Sequence, residues 1–243
     1  MDSKYSYKYL DEDVDCAEIY GWNAVNICVM QYNVTHLSIR HCKKLEIIRN
    51  FSNTLIDLYI NGCIITYLEK LPLNLKVLYC ANNNIKYIDN FPASLEKCTC
   101  YSNNLLYLPI KSNLIKLQQI WCYCNKITGP FYMPTNLYNL EINHNNLTSI
   151  QNIFPNELNN FNFNINKLAH INVVKLNITH VLDLNFRCNF IKFINYKKLF
   201  PNQKNVHSYC FDYRLDYRDS ICNNNNYYIV VYVRDRSYYC NLL

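Results

Sequence analysis

Glycine is almost missing from this chain, at three residues in 243. That scarcity excludes the glycine-rich loops that cradle phosphate, and neither GxSxG, HExxH nor GxxxxGK(S/T) occurs. Charge is sparse as well: 17% of residues are charged against 50% hydrophobic, so a large core can be buried. No apolar run reaches the roughly 18 residues that a membrane-spanning helix needs. The opening MDSKYSYKYL has no apolar stretch behind a basic start, so no secretory signal is expected. The six histidines (His36, His41, His144, His170, His180, His207) show no ligand spacing, and neither metal nor cofactor is expected. These absences point to a non-catalytic, intracellular, cytoplasmic protein.

What the chain does hold is tyrosine, cysteine and asparagine. The thirteen cysteines are odd in number and many recur in phase with apolar residues, so they read as buried reduced thiols rather than a disulfide framework. Abundant Asn, Lys, Ile and Tyr carry the bias of an AT-rich genome, as in a protist, a bacterium or a giant virus; in a viral setting the host cytoplasm is the expected location. The net charge of +6 is mild and its bearers are scattered, with a modest gathering towards the end (Lys197, Lys198, Lys204, Arg214, Arg218, Arg234, Arg236), which reads as solvated surface.

One pattern, LxxLxLxxNxLxxI, returns every 20 to 23 residues from Val34 to Ile194. Its first position reads Val34, Leu55, Leu75, Leu95, Leu117, Leu137, Leu158 and Val181. Its fourth reads Leu37, Leu58, Leu78, Cys98, Ile120, Leu140, Phe161 and Leu184, and its sixth Ile39, Ile60, Cys80, Cys100, Cys122, Ile142, Phe163 and Phe186. The ninth reads Cys42, Cys63, Asn83, Asn103, Asn125, Asn145, Asn166 and Asn189, so a short hydrogen-bonding side chain recurs at a fixed phase. Alternation at positions four and six is the signal of a short strand with inward-facing side chains. An amide at position nine can donate to and accept from backbone groups in the turn that follows.

The units resemble leucine-rich repeats, whose signature is LxxLxLxx(N/C)xL. Their length, and the proline that recurs before the next unit (Leu71-Pro72, Phe91-Pro92, Met133-Pro134, Phe154-Pro155), resemble the short class of bacterial effectors and of AT-rich large DNA viruses. Lys44 departs from the pattern where the first unit should show leucine. The resemblance implies a mostly β, α/β-type repeat fold: a curved right-handed solenoid with parallel strands on its concave face. About ten residues follow each Asn, too few for a helix and two turns, so an extended or 3₁₀ convex side is expected.

Three parts are expected: an amino-terminal cap over 1–33, eight repeats over 34–199, and a degenerate ninth repeat with a cap over 200–243. The cap carries acidic residues from Asp11 to Asp15, then Ala17, Ile19, Trp22, Val25 and Ile27, and reads as a short helix followed by a strand. Val206, Tyr209 and Phe211 stand at positions one, four and six of the ninth unit. Beyond Asn223–Asn226, Tyr227 to Val233 reads as a further strand.

Strand positions that do not enter the core should face outward. The fifth and seventh gather Tyr59, Tyr79, Tyr101, Trp121 and Tyr123 on four neighbouring strands, with Arg40, Glu141 and Asn143 around them. Aromatic rings with polar tips and a polar rim are the anatomy of a protein-binding surface. The alternative is that these rings only stabilise the sheet. A second alternative is single-stranded nucleic acid stacked on Tyr79, Tyr101 and Trp121, with Arg40, Lys97 and Arg187 meeting phosphate, although no continuous basic track exists. A third is a substrate adaptor for a host ubiquitin ligase. Two motifs carry less. Cys98-Thr99-Cys100 and Cys122-Tyr123-Cys124 could suggest zinc, but the register sends Cys80, Cys100 and Cys122 into a core column and Cys124 into the turn. Cys210-Phe211-Asp212 resembles the CxD of a ligase class found in some bacterial repeat effectors, but those need a large helical domain after the array.

Overall fold

The computed structural model describes residues 16–28, 34–151, 157–172, 180–185, 189 and 208–209. The acidic segment Asp11–Asp15, the CxD motif and the strand expected at Tyr227–Val233 lie outside these residues. The chain divides into two compact units, Met1–Ile127 and Thr128–Leu243. Each is a parallel β-solenoid of stacked coils, the architecture that the leucine-rich-repeat pattern implies.

Unit 1 contains β1 (Cys16–Tyr20), β2 (Asn26–Cys28), β3 (His36–Arg40), β4 (Ile47–Arg49), β5 (Asp57–Asn61), β6 (Tyr67–Leu68), β7 (Val77–Tyr79), β8 (Tyr87–Ile88), β9 (Lys97–Thr99) and β10 (Gln119–Trp121). Its main sheet runs β1-β3-β5-β7-β9-β10, and each of these pairings is parallel. Like positions of successive repeats lie opposite each other: Leu37 faces Leu58, Leu58 faces Leu78, Leu78 faces Cys98 and Cys98 faces Ile120. These five side chains are at most 1% exposed, as are Ile39, Ile60, Cys80, Cys100 and Cys122 two residues on. A lone three-residue strand has no face to hide; between two identical neighbours both its ladder edges and its inward side chains are satisfied.

The return side is extended, and among the described residues no helix of either kind occurs. Short strands pair there instead, β2 with β4 and β6 with β8. Proline sets the corner back into the next strand: the carbonyls of Pro72 and Pro92 accept from the N–H of Leu75 and Leu95 at 3.2 and 3.0 Å. Proline's lack of an N–H is harmless at such a corner, where its carbonyl does the bonding.

Two expectations need correction. Residues 16–28 hold the expected capping strand but, among these residues, no helix: β1 pairs with β3 in the repeat register, Ala17 opposite Leu37 and Ile19 opposite Ile39. Both apolar residues are buried, so the sheet begins one rung earlier than the Val34 start of the pattern. Lys44 is exposed because a turn, Leu45 N–H to Cys42 carbonyl at 2.9 Å, advances the chain by one residue; the fully buried Leu45 fills the leucine slot.

Unit 2 contains β11 (Thr128–Tyr132), β12 (Asn139–Glu141), β13 (Asn146–Gln151), β14 (Glu157–Asn162), β15 (His170–Asn172), β16 (His180–Asn185) and β17 (Ser208–Tyr209). Strands β12, β14, β16 and β17 pair in parallel in that order, and β11-β13-β15 form the return sheet. Leu140, Ile142, Phe161 and Phe163 are fully buried. At β17 the register differs from expectation: Ser208, not Tyr209, lies opposite Leu184.

The ninth-position amides hold neighbouring coils together. Asn103 Nδ2 donates to the carbonyls of Cys80, Cys100 and Tyr101 at 2.9, 3.1 and 3.2 Å, and its Oδ1 accepts the Ile85 N–H at 2.9 Å. Asn125 repeats the scheme with Cys100, Cys122, Tyr123 and the Leu105 N–H, and Asn166 with Ile142, Phe163, Asn164 and the Leu147 N–H. Asn83, Asn145 and Asn189 are likewise buried and bonded to backbone carbonyls. Where cysteine takes the slot the bonds are fewer and longer: Cys42 and Cys63 each donate to one carbonyl, at 3.5 and 3.7 Å. Asn83, which faces the Cys63 coil, is left with a buried Oδ1 that has no partner.

The residue before the ladder is left-handed in every described coil: Gly21, His41, Gly62, Asn82, Ser102, Cys124, His144 and Ile165 have φ between 51° and 65°. Gly62 also answers to space, since a Cβ there would lie 3.0 Å from His41 Nδ1. Ile165 is the costliest occupant, because a β-branched side chain clashes with its own backbone at this φ. Replacing Ile165 with asparagine is expected to stabilise the protein by about 1 kcal/mol. Thermal unfolding monitored by circular dichroism should show a midpoint roughly 2–4 °C higher.

Candidate functional site

The outward face of the unit 1 sheet is built by the odd positions of each rung. Tyr59 and Tyr79 leave β5 and β7 directly opposite each other, and Tyr101 and Tyr123 follow β9 and β10 at the seventh position. Their rings form one continuous strip. Tyr59 and Tyr79 stack at 5.9 Å between centroids, Tyr79 meets Tyr101 edge-on at 6.2 Å, and Tyr101 and Tyr123 stack at 4.5 Å with planes 5° apart. The spacing of adjacent parallel strands is what brings like rings into contact. Tyr79 and Tyr101 also share a hydrogen bond between hydroxyls at 2.8 Å.

Beside the strip, Trp121 stands opposite Thr99 and is 37% exposed. Thr99 faces outward yet is only 7% exposed, so the surrounding face closes over it. Arg40 lies on the β3 side with its Nε 3.8 Å from Glu18 Oε1, both side chains at least half exposed. The five rings and Arg40 are thus gathered in unit 1. Glu141 and Asn143 belong to unit 2, where Glu141 Oε1 accepts from Asn160 Nδ2 at 2.7 Å and the side-chain Oδ1 of Asn143 is buried without a partner.

The strip also contains features that residue counting did not reveal. His36 is held on both ring nitrogens, by Thr35 Oγ1 at 2.8 Å and Asp57 Oδ2 at 3.0 Å. Tyr20 continues the aromatic face to β1, meeting His41 edge-on at 5.3 Å. A second stacked pair, Tyr67 and Tyr87 at 5.7 Å, sits on the return side. The recurrence of Tyr at the same return position in successive units was the available signal for that pair.

Desolvation, then the bond with Tyr101, pushes the Tyr79 phenol up to about 12. An unfolded tyrosine releases its proton near pH 10. Between these values the unfolded chain holds fewer protons than the folded one, so stability falls as pH rises from about 10 to about 12 and is unaffected by this group below that window. Urea midpoints of wild type and Tyr79→Phe measured at about pH 9 and about pH 11.5 should show the smaller loss in the variant.

The thiols follow the register. Cys80, Cys98, Cys100 and Cys122 are at most 1% exposed, whereas Cys16 and Cys124 are exposed. Burial raises the Cys80 thiol, a hydrogen bond with Cys100 raises Cys98, and one with Cys122 raises Cys100, so all three stay protonated and behave as small apolar side chains. Among the described residues no group of three or more His, Cys, Asp or Glu is arranged to hold a metal ion. Nucleic-acid stacking would need open ring faces; Tyr101 and Tyr123 occupy one face of each other at 4.5 Å, leaving no slot for a base between them.

No protein-family model matches the chain, and no curated protein matches it by sequence. Among solved structures, YopM from Yersinia enterocolitica WA-314 is similar over 70% of this chain, at 15% identity and a TM-score of 0.38. The match covers 52% of that protein, so the chain spans about half its length.

Proposed function

We propose that the protein is a non-catalytic recognition module, and that a protein partner docks on the outward face of unit 1 across Tyr59, Tyr79, Tyr101, Tyr123 and Trp121. The observation that carries this reading is the continuity of the rings: four tyrosines in mutual contact, with an exposed tryptophan beside them. Rings already held by their neighbours lose little freedom on binding, so their apolar area is available at small entropic cost. Burial of about 800 Å² on each partner would be usual for a specific complex. Glu18, Arg40, Asn61 and Lys97 supply the polar rim that such a surface needs. The same reading places the protein inside the cell, in keeping with thiols packed as core residues rather than cross-links.

The variant Tyr101→Ala/Trp121→Ala/Tyr123→Ala tests it. Capture of a partner from native or host lysate should weaken by at least about 2 kcal/mol, roughly thirtyfold, with an unchanged far-ultraviolet circular dichroism spectrum. Equal capture by the folded variant and the wild type would remove the docking face.

A further inference from the structure

Beside Tyr59, at the β1 end of the ring strip, lies an open cavity of about 290 Å³ whose lining includes Glu18, His36, Ser38, Arg40 and Tyr59. Its volume is just under the roughly 300–1,000 Å³ of small-molecule pockets, a size suited to one side chain rather than a cofactor. Three features define what it would take. The Arg40 guanidinium has Glu18 as its ionic neighbour at 3.8 Å, through Nε; a pair this long and exposed contributes at most about 1 kcal/mol and is readily exchanged. The hydroxyl of Ser38 is buried and has no hydrogen-bond partner. His36 already engages Asp57, and Asp57 is not part of the lining, which leaves Glu18 as its one carboxylate. The lining therefore offers donors with little to accept their bonds.

We propose that this cavity receives one aspartate or glutamate side chain of the protein segment that lies across the rings. Its carboxylate displaces Glu18 from Arg40, engages the guanidinium fork through two parallel bonds, and supplies the acceptor that Ser38 lacks. Tyr59 lines the cavity and also begins the strip, so a single extended segment reaches both. The inference rests on the docking face proposed above and adds what the partner must carry.

A peptide array tests both separately. Each acidic peptide is printed beside a twin in which Asp and Glu become Asn and Gln, and the full-length chain is applied as wild type, Arg40→Gln and the triple aromatic variant. Wild type is expected to retain the carboxylate members about tenfold better than their twins. Arg40→Gln should erase that preference with an intact circular dichroism spectrum, while the aromatic variant lowers retention of both twins. Equal retention of twins by wild type, or a preference unaltered in folded Arg40→Gln, overturns the acidic pocket and leaves the docking face standing. Retention of no member by wild type removes both. Should Arg40→Gln fail to fold, Glu18→Gln decides: removing the resident carboxylate raises retention of acidic members if the pocket is right, and unchanged retention overturns it.

Discussion

Replacing Asn103 with leucine is expected to lower stability by about 3–5 kcal/mol, although the two side chains are close in size. The amide makes four bonds to backbone groups: two in the preceding coil, to the Cys80 carbonyl and the Ile85 N–H, and two in its own turn, to the Cys100 and Tyr101 carbonyls. Leucine leaves the buried Ile85 N–H with nothing to bond, a loss of about 1–3 kcal/mol on its own, and removes the donor between coils as well. Asn103→Cys should fall between, since in the native cysteine coils each thiol donates to one carbonyl, at 3.5 and 3.7 Å, where the amide donates to three at 2.9 to 3.2 Å. Urea unfolding followed by circular dichroism ranks the three proteins. A leucine variant as stable as wild type would mean that the amide ladder contributes nothing net.

Leu78→Ala should cost about 2–5 kcal/mol, the range for emptying a fully buried leucine site. Leu78 is 0% exposed and lies between Leu58 and Cys98 on the adjoining strands, so the vacated space opens towards both neighbouring coils at once. The preceding residue supplies the control. Val77 points outward on the same strand, and Val77→Ala should cost under about 1 kcal/mol. If the two substitutions were equally costly, the inward and outward faces of β7 would not differ as described. In a solenoid each coil touches only its neighbours, so the damage should also appear as faster amide exchange in the coils of β5, β7 and β9 before it appears elsewhere.

The columns of the core were legible in the sequence because each repeat puts the same residue type at the same phase: Leu37, Leu58, Leu78, Cys98 and Ile120 form one line in both. The ladder was legible for the same reason, at Asn83, Asn103 and Asn125. For residues 16–28 a strand was legible but its place in the repeat register was not, since an acidic run precedes them and Ala17 is a weak apolar mark; the 20-residue step from Ala17 and Ile19 to Leu37 and Ile39 was the signal to follow. Lys44 misled because the pattern counts residues, whereas the chain spends one extra residue in a turn to deliver Leu45. The five rings were legible as a column, but their contacts were not: whether Tyr79 stacks on Tyr101 or meets it edge-on depends on side-chain rotation, which no strand period encodes. The cavity beside Arg40 lay beyond the sequence altogether, because it joins residues from three rungs, one of which precedes the first unit of the repeat pattern.

The left-handed corner has a practical use. Because its geometry is the same whether the residue is glycine, serine, histidine or isoleucine, this column accepts side chains that no other part of a rung would accept. Ser102 sits there directly after Tyr101, on the rim of the ring strip rather than in the interior. A photoreactive amino acid installed at Ser102 would therefore label whatever molecule rests on the tyrosines, and the covalent adduct would preserve a contact too brief to survive washing.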